Sequence, residues 1–182
     1  IDGGSPLFRR VEFRELGGGE ATVYVRQELG STEPAPVFED VTFFRCGSTA
    51  GVGGIRNDSS HPVVIRGAVF DRLDGEPPAA ALYGHFDVKD ATFSRCVTSE
   101  PAGWPVVFDG YGRIANTLFV RNQGENGPMP MIRARALVTA PGSEPTLDLV
   151  NVTVASNSTG AVSGGDEPVV RFDIPGSVTN SI

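Results

Sequence analysis

Residues 38–46 read FEDVTFFRC, and residues 65–73, 88–96 and 114–122 read IRGAVFDRL, VKDATFSRC and IANTLFVRN. The same nine-residue phrase occurs once more on each side, as FRRVEFREL at 8–16 and as LVNVTVASN at 149–157. The first position of each copy is apolar, and the sixth is Phe in every copy except the last. The sixth position recurs every 23 to 35 residues, a spacing that is typical of solenoid repeats.

The segments between the copies are rich in Gly, Pro, Asn, Asp and Ser, and the apolar segments are short and alternate with polar residues. This pattern predicts strands joined by turns. Because one coil of this length cannot bury its own apolar side, the coils must stack, each about 4.8 Å from the next. The sequence therefore predicts an all-β solenoid of about six coils, roughly 30 Å long.

Stacking places equivalent residues above one another, so the phrase predicts columns of side chains. The sixth positions form a core ladder of Phe13, Phe43, Phe70, Phe93 and Phe119, closed by Val154. The ninth positions form a second column of Leu16, Cys46, Leu73, Cys96, Asn122 and Asn157. A buried Asn needs hydrogen-bond partners, so we expect the two asparagines to bond backbone groups of neighbouring coils. The third position is a residue type that favours turns in five copies: Asp40, Gly67, Asp90, Asn116 and Asn151. The first copy differs, because its third position is Arg10.

The two cysteines share one column but lie two coils apart, with Leu73 between them. Their Cα atoms should be about 9 to 10 Å apart, too far for a disulfide. The spacing predicts two buried free thiols. A bridge formed through an irregular turn is the alternative.

The phrase resembles the repeats of right-handed parallel β-helices of the pectin-lyase-like superfamily. Within that superfamily, the Asn-x-Thr-x-x-x-Asn spacing of Asn151, Thr153 and Asn157 is similar to repeats of polymorphic outer-membrane proteins and related bacterial surface proteins. The resemblance covers nearly the whole chain and implies one right-handed β-helix domain over 1–182. It implies little about activity, because this fold carries lyases, hydrolases, adhesins and inert stalks.

Charge and composition restrict the partners and the location. The chain has 15 basic and 22 acidic residues, which argues against nucleic acid or an anionic membrane as a partner, and no stretch is long and apolar enough to span a bilayer. The basic residues are nearly all Arg, which we attribute to a GC-rich bacterial genome. With the resemblance, this favours a secreted or cell-surface bacterial protein.

The end of the sequence predicts a further partner. Val178 and Asn180 occupy the first and third positions of a seventh phrase, which stops at Ile182. We therefore expect the chain to be a section of a longer solenoid, with an open coil edge that other protein chains can pair with.

Residues with catalytic chemistry are scattered through the chain. Asp71, Asp74 and Glu76 occur together beside Gly75 and two prolines, and we interpret this stretch as a solvated loop, with a weak calcium site as the alternative. Neither the paired carboxylates of related hydrolases nor the His and Cys spacing of a metal site is present. The sequence predicts no catalytic residue, no metal site and no cofactor.

One group of side chains that we expect on the outward side of the coils has the composition of a binding surface. If the alternation of inward Val88 and Ile114 extends along their strands, then Tyr83, His85 and Asp87 point outward on one coil, and Asp109, Tyr111 and Arg113 on the next. Aligning the phrases places Tyr83 beside Asp109, His85 beside Tyr111, and Asp87 beside Arg113. These six residues are a candidate surface patch for sugar or peptide, and a plain cross-strand surface ladder with one weak ion pair is the alternative.

Three functions are compatible with these features. The first is a non-enzymatic extracellular or cell-surface β-helix module that acts as a rod, scaffold, adhesive or binding surface. The second is a carbohydrate-active enzyme, a polysaccharide lyase or glycoside hydrolase with its groove on the candidate patch. The third is a subunit of a head-to-tail assembly through open coil ends. The sequence has a strong core ladder and no recognisable catalytic residues, and this combination favours the non-enzymatic module.

Overall fold

Parallel strands make up the regular structure of the protein. The computed structural model describes residues 1, 4–26, 34–75, 79–98, 107–124, 131–136, 144–159 and 169–181. Within these ranges the chain forms strands, turns and bends and no helix. The described ranges accordingly hold no helix that could cross a membrane.

The strands are short and follow one another closely along the chain. The first eleven are β1 (Leu7–Arg9), β2 (Glu12–Arg14), β3 (Ala21–Val25), β4 (Val37–Glu39), β5 (Thr42–Phe44), β6 (Gly47–Ser48), β7 (Val52–Asn57), β8 (Val63–Arg66), β9 (Val69–Asp71), β10 (Asp74–Gly75) and β11 (Leu82–Lys89). The rest are β12 (Thr92–Ser94), β13 (Val97–Thr98), β14 (Phe108–Ala115), β15 (Leu118–Val120), β16 (Gln123–Gly124), β17 (Ile132–Ala134), β18 (Leu147–Val150), β19 (Thr153–Ala155), β20 (Ser158–Thr159), β21 (Val170–Phe172) and β22 (Gly176–Thr179).

These strands assemble into three parallel sheets. The long sheet has eleven strands, β1, β3, β4, β7, β8, β11, β14, β17, β18, β21 and β22. The Phe sheet has six, β2, β5, β9, β12, β15 and β19, and the short sheet has five, β6, β10, β13, β16 and β20. From β8 the chain passes through the Phe sheet and the short sheet and returns to the long sheet at β11, which completes one coil. The predicted all-β parallel solenoid is confirmed, with about five turns between the first and last strands of the Phe sheet.

The Phe ladder of the core is confirmed. Each ladder residue pairs in register with the next one along the stack, and Phe119 pairs with Val154. The ring centroids are 4.5 Å apart for Phe13 and Phe43, and 4.7 Å apart for Phe70 and Phe93. The rings are within 11° of parallel in these pairs. Stacked aromatic pairs add about 0.5 to 1.5 kcal/mol each beyond burial, so the ladder stabilises neighbouring coils against separation.

The first position of the phrase also stacks, along the long sheet. Phe8 lies 4.9 Å from Phe38 between ring centroids, and the column continues through Ile65, Val88, Ile114, Leu149 and Val178. Val178 therefore occupies the expected first position of a seventh phrase. Asn180 has φ of 48°, close to the 52° of Asn151 one coil earlier.

Both corners that flank the Phe sheet use left-handed backbone conformations. The predicted turn column has positive φ at Arg10, Asp40, Gly67, Asp90, Asn116 and Asn151. A second column, which we did not predict, has φ between 51° and 56° at Glu15, Arg45, Arg72, Arg95, Arg121 and Ser156. Four of its six members are Arg, so part of the arginine content that we attributed to genome composition occupies one repeated corner.

The Asn and Cys column behaves as predicted. Asn122 is buried; its Nδ2 donates to the Phe93 carbonyl at 3.1 Å, and its Oδ1 accepts from the Cys96 backbone N–H at 3.0 Å. Asn157 Nδ2 donates to the Phe119 carbonyl at 2.9 Å in the same manner. Cys46 and Cys96 are both buried free thiols.

Candidate functional site

The candidate patch lies on the outward side of the long sheet, across β11 and β14. The register between these strands pairs Tyr83 with Asp109, His85 with Tyr111, and Asp87 with Arg113, as the aligned phrases predict. The neighbours along β11, Gly84, Phe86 and Val88, are buried, whereas Tyr83, His85 and Asp87 are half-buried. The six side chains form three cross-strand pairs with different environments.

His85 and Tyr111 form an aromatic pair at the centre of the patch. Their ring centroids are 4.3 Å apart and the ring planes differ by 21°. His85 Nδ1 lies 3.0 Å from the Ser60 carbonyl oxygen, which only accepts hydrogen bonds, so Nδ1 carries a proton. Burial lowers the pKa of His85, and the ring is therefore neutral at pH 7 with a lone pair on Nε2.

A small cleft opens beside this pair. It has a volume of about 180 Å³ and is lined by Ser60, His85, Tyr111, Gly112 and the segment 144–146. We call it the His85 cleft. The segment is attached to β14 by a hydrogen bond of 2.7 Å from the Gly112 N–H to the Thr146 carbonyl. Gly112 has φ of 116°, and a Cβ there would lie 2.0 Å from the Phe86 carbonyl oxygen, so this position requires glycine.

Asp109 is on the outward side of β14 but is not open to solvent, because its side chain is only 2% exposed. Arg135 Nη2 donates to Asp109 Oδ2 at 2.6 Å. Asp109 Oδ1 and Arg135 Nε are buried without a hydrogen-bond partner among the described residues. Burial raises the pKa of Asp109 to about 6 against the opposing attraction of Arg135 and Arg133.

Tyr83 packs between two guanidinium groups that belong to other coils. The Arg56 and Arg135 guanidinium carbons lie 5.6 Å and 5.9 Å from its ring centroid. Arg56 also lies 5.1 Å from the Tyr24 ring and binds Asp58, with Nη2 to Oδ2 at 2.9 Å. The sequence analysis did not predict the contribution of Arg56 and Tyr24. Tyr24, Arg56 and Tyr83 occupy the same register position on three neighbouring strands of the long sheet, and this shared position is the feature that could have identified them.

The pair Asp87 and Arg113 shares a register position but forms no ion pair within the described ranges. Instead, the Asp87 carboxylate binds Arg66 Nη2, and Arg66 Nη1 donates to the Asp87 carbonyl at 2.8 Å. Arg66 lies in β8, on the other side of β11. The cross-strand ion pair of the simple surface-ladder interpretation is therefore wrong, because Asp87 binds the guanidinium on its other neighbouring strand. Arg113 is exposed and lies in register with Asp148 of β18.

The acidic stretch that begins at Asp71 differs from the solvated loop that we expected. Asp71 ends β9, is 6% exposed, and accepts from Arg95 Nε at 2.7 Å and from Ser94 Oγ at 2.7 Å. Burial by itself would raise the pKa of Asp71, but the hydrogen bonds from Arg95 and Ser94 lower it below its usual value. Glu76, the third carboxylate of the weak calcium alternative, lies outside the described residues. No group of three or more His, Cys, Asp or Glu suited to a metal ion occurs in the described part of the chain.

Relatives of the chain were sought by sequence and by structure. Comparisons with protein-family models, with curated proteins and with solved structures give no match. The parallel β-solenoid is therefore established by the strand pairing itself. Membership in the pectin-lyase-like superfamily stays a resemblance of the repeated phrase.

Proposed function

We propose that this protein is a non-enzymatic structural and binding module of an extracellular or cell-surface bacterial protein. In this role the stacked coils supply a stiff core, and the outward side of the long sheet supplies a binding surface. The resemblance of the phrase to repeats of polymorphic outer-membrane proteins supports the location. The same resemblance supports a right-handed solenoid.

The continuous core ladder carries the proposal. Phe43, Phe70, Phe93 and Phe119 are fully buried, and their rings stack at 4.6 to 4.9 Å from one coil to the next. Each coil therefore packs only on its neighbours along the stack. Such one-directional packing suits a spacer or scaffold. The two acids of the patch bind arginines of neighbouring strands, Asp109 with Arg135 and Asp87 with Arg66, so neither is a free carboxylate for catalysis.

Polysaccharide turnover is the measurement that tests the proposal. The purified chain is incubated with a panel of acidic, neutral and amino-sugar polysaccharides, with and without calcium, and new reducing ends and unsaturated products are measured. We expect binding without turnover. Turnover that is abolished by His85→Ala would overturn the proposal in favour of the carbohydrate-active enzyme.

The C-terminal side of the described stack favours a second candidate, assembly of coils from different copies. An apolar pocket of about 320 Å³ is lined by Leu149, Val152, Val154, Val170, Phe172, Val178 and Ser181. Phe172 is 37% exposed and Val178 is 55% exposed. Head-to-tail contact of a second copy would bury these side chains. Light scattering over a range of concentrations tests it, since a mass that stays monomeric at every concentration would exclude such assembly.

A further inference from the structure

The His85 cleft is lined by one carboxylate, one imidazole and three hydroxyl side chains. Glu144 contributes an exposed carboxylate, and it forms no ion pair or hydrogen bond with any described residue. His85 also lines the cleft, and because its Nδ1 proton is donated to the Ser60 carbonyl, Nε2 is the ring nitrogen that keeps a lone pair. Among the described residues that line the cleft there is no Lys or Arg, so its lining carries no cationic side chain that would repel an ammonium group.

The size of the cleft limits the ligand to one small group. A volume of 180 Å³ lies below the range of roughly 300 to 1,000 Å³ that is usual for drug-sized ligands. It corresponds to about six water molecules at roughly 30 Å³ each. One sugar ring or one long side chain has this size, whereas a nucleotide cofactor is too large.

The charge of the cleft and of the whole chain favours a cation. A carboxylate, an imidazole lone pair and aromatic π electrons all attract an ammonium group, which offers three N–H donors and no acceptor. The formal net charge of −7 adds a long-range attraction for cations. The nearest guanidinium along β14, that of Arg113, lies in register between Asp87 and Asp148, so acidic residues flank it on both sides.

We propose that the His85 cleft binds a primary ammonium group, with the Glu144 carboxylate as its counter-ion, His85 Nε2 as a hydrogen-bond acceptor and Tyr111 as an aromatic wall. The inference rests on the proposed binding function of the long sheet and names its ligand class. An amino sugar and a lysine side chain both carry this group and both match the size of the cleft.

Titration with matched probes tests the inference. The probes are D-glucosamine and Nα-acetyl-lysine amide, each compared with a neutral partner, N-acetyl-D-glucosamine and Nα-acetyl-norleucine amide, in amine-free phosphate buffer. Backbone amide shifts of Gly112 and Thr146 are followed by NMR. We expect saturable shifts with at least one ammonium probe and not with its neutral partner, and the tighter of the two ammonium probes identifies the source.

Two variants separate the carboxylate from nonspecific charge. Glu144→Gln keeps the size of the side chain and should raise the Kd of the ammonium probe about five- to tenfold, equivalent to about 1 to 1.4 kcal/mol. Glu12→Gln makes the same change of net charge on β2, where Glu12 pairs with Arg14, and should leave the Kd unchanged. Equal binding of ammonium and neutral probes, or equal Kd values for Glu144→Gln and the native chain, would overturn the inference. Because neither probe contains a polysaccharide linkage, that failure would leave the proposed function standing, which the turnover assay tests separately.

Discussion

Arg135 Nη2 lies 2.6 Å from Asp109 Oδ2, yet the second carboxylate oxygen of Asp109 and the Nε of Arg135 are both buried without a partner within the described ranges. The ion pair is thus only half satisfied, and burial outweighs the attraction of the guanidinium. A carboxyl group in this position is easier to protonate than one in water. This explains why the pKa of Asp109 rises to about 6.

The first prediction is that Asp109 makes the protein more stable in mild acid. The pKa of Asp109 is raised from 3.8 to about 6 on folding, so its contribution is complete below about 3.8 and is lost as the pH rises through 6. Relative to Asp109→Asn, the free energy of unfolding of the native chain should rise by up to about 3 kcal/mol between pH 7.5 and pH 4. Urea unfolding of both proteins at several pH values measures this difference, and a difference that does not change with pH would contradict it.

The second prediction concerns the Phe ladder. Phe93→Ala removes a fully buried ring from between two stacked neighbours, so it should lower the free energy of unfolding by about 3 to 5 kcal/mol. Val69→Ala is the matched control, because Val69 is 40% exposed and precedes the ladder residue Phe70. It should change the stability by less than about 0.5 kcal/mol. A similar loss in both variants would mean that the ladder does not dominate the core.

The third prediction concerns the polar end of the Cys and Asn column. Asn122→Leu restores the residue type found at Leu73, but it leaves the Cys96 N–H without its acceptor, so we expect a loss of about 2 to 4 kcal/mol. The exposed neighbour Gln123→Leu should stay within about 0.5 kcal/mol of the native chain. Stability of Asn122→Leu equal to that of the native chain would show that apolar burial replaces the hydrogen bonds fully.

The fourth prediction concerns the thiols. Burial raises the pKa of the Cys96 thiol to about 12, and Cys46 is 1% exposed, so neither residue should react with iodoacetamide in the native protein at pH 8. Both should be alkylated in denaturant. Mass spectrometry with and without reductant measures the modified fraction and detects a disulfide. Rapid native labelling of Cys96, or an intramolecular bridge, would contradict the structure.

The repeated phrase determined far more of the fold than of the candidate site. Its spacing alone predicted that Phe93 stacks on Phe70, that Val178 continues the column of Leu149, and that His85 lies beside Tyr111. The left-handed corner of Arg95 and its equivalents went unrecognised because Arg has no special preference for positive φ. The only sign of this corner in the sequence is that Arg recurs at the eighth position of the phrase, at Arg45, Arg72, Arg95 and Arg121.

Sequence by itself determined the coil register of this protein, because a parallel stack forces residues of equal phase to lie above one another. Tertiary structure decided which neighbour each polar side chain binds. Asp87 is flanked by a guanidinium on each side and binds that of Arg66, and Asp109 is covered by Arg135, which lies beyond the strand pair that the phrase describes. The segments between the phrases, in which Arg135 and Glu144 lie, differ in length and composition, so no repeated signal specifies which partners these two side chains reach.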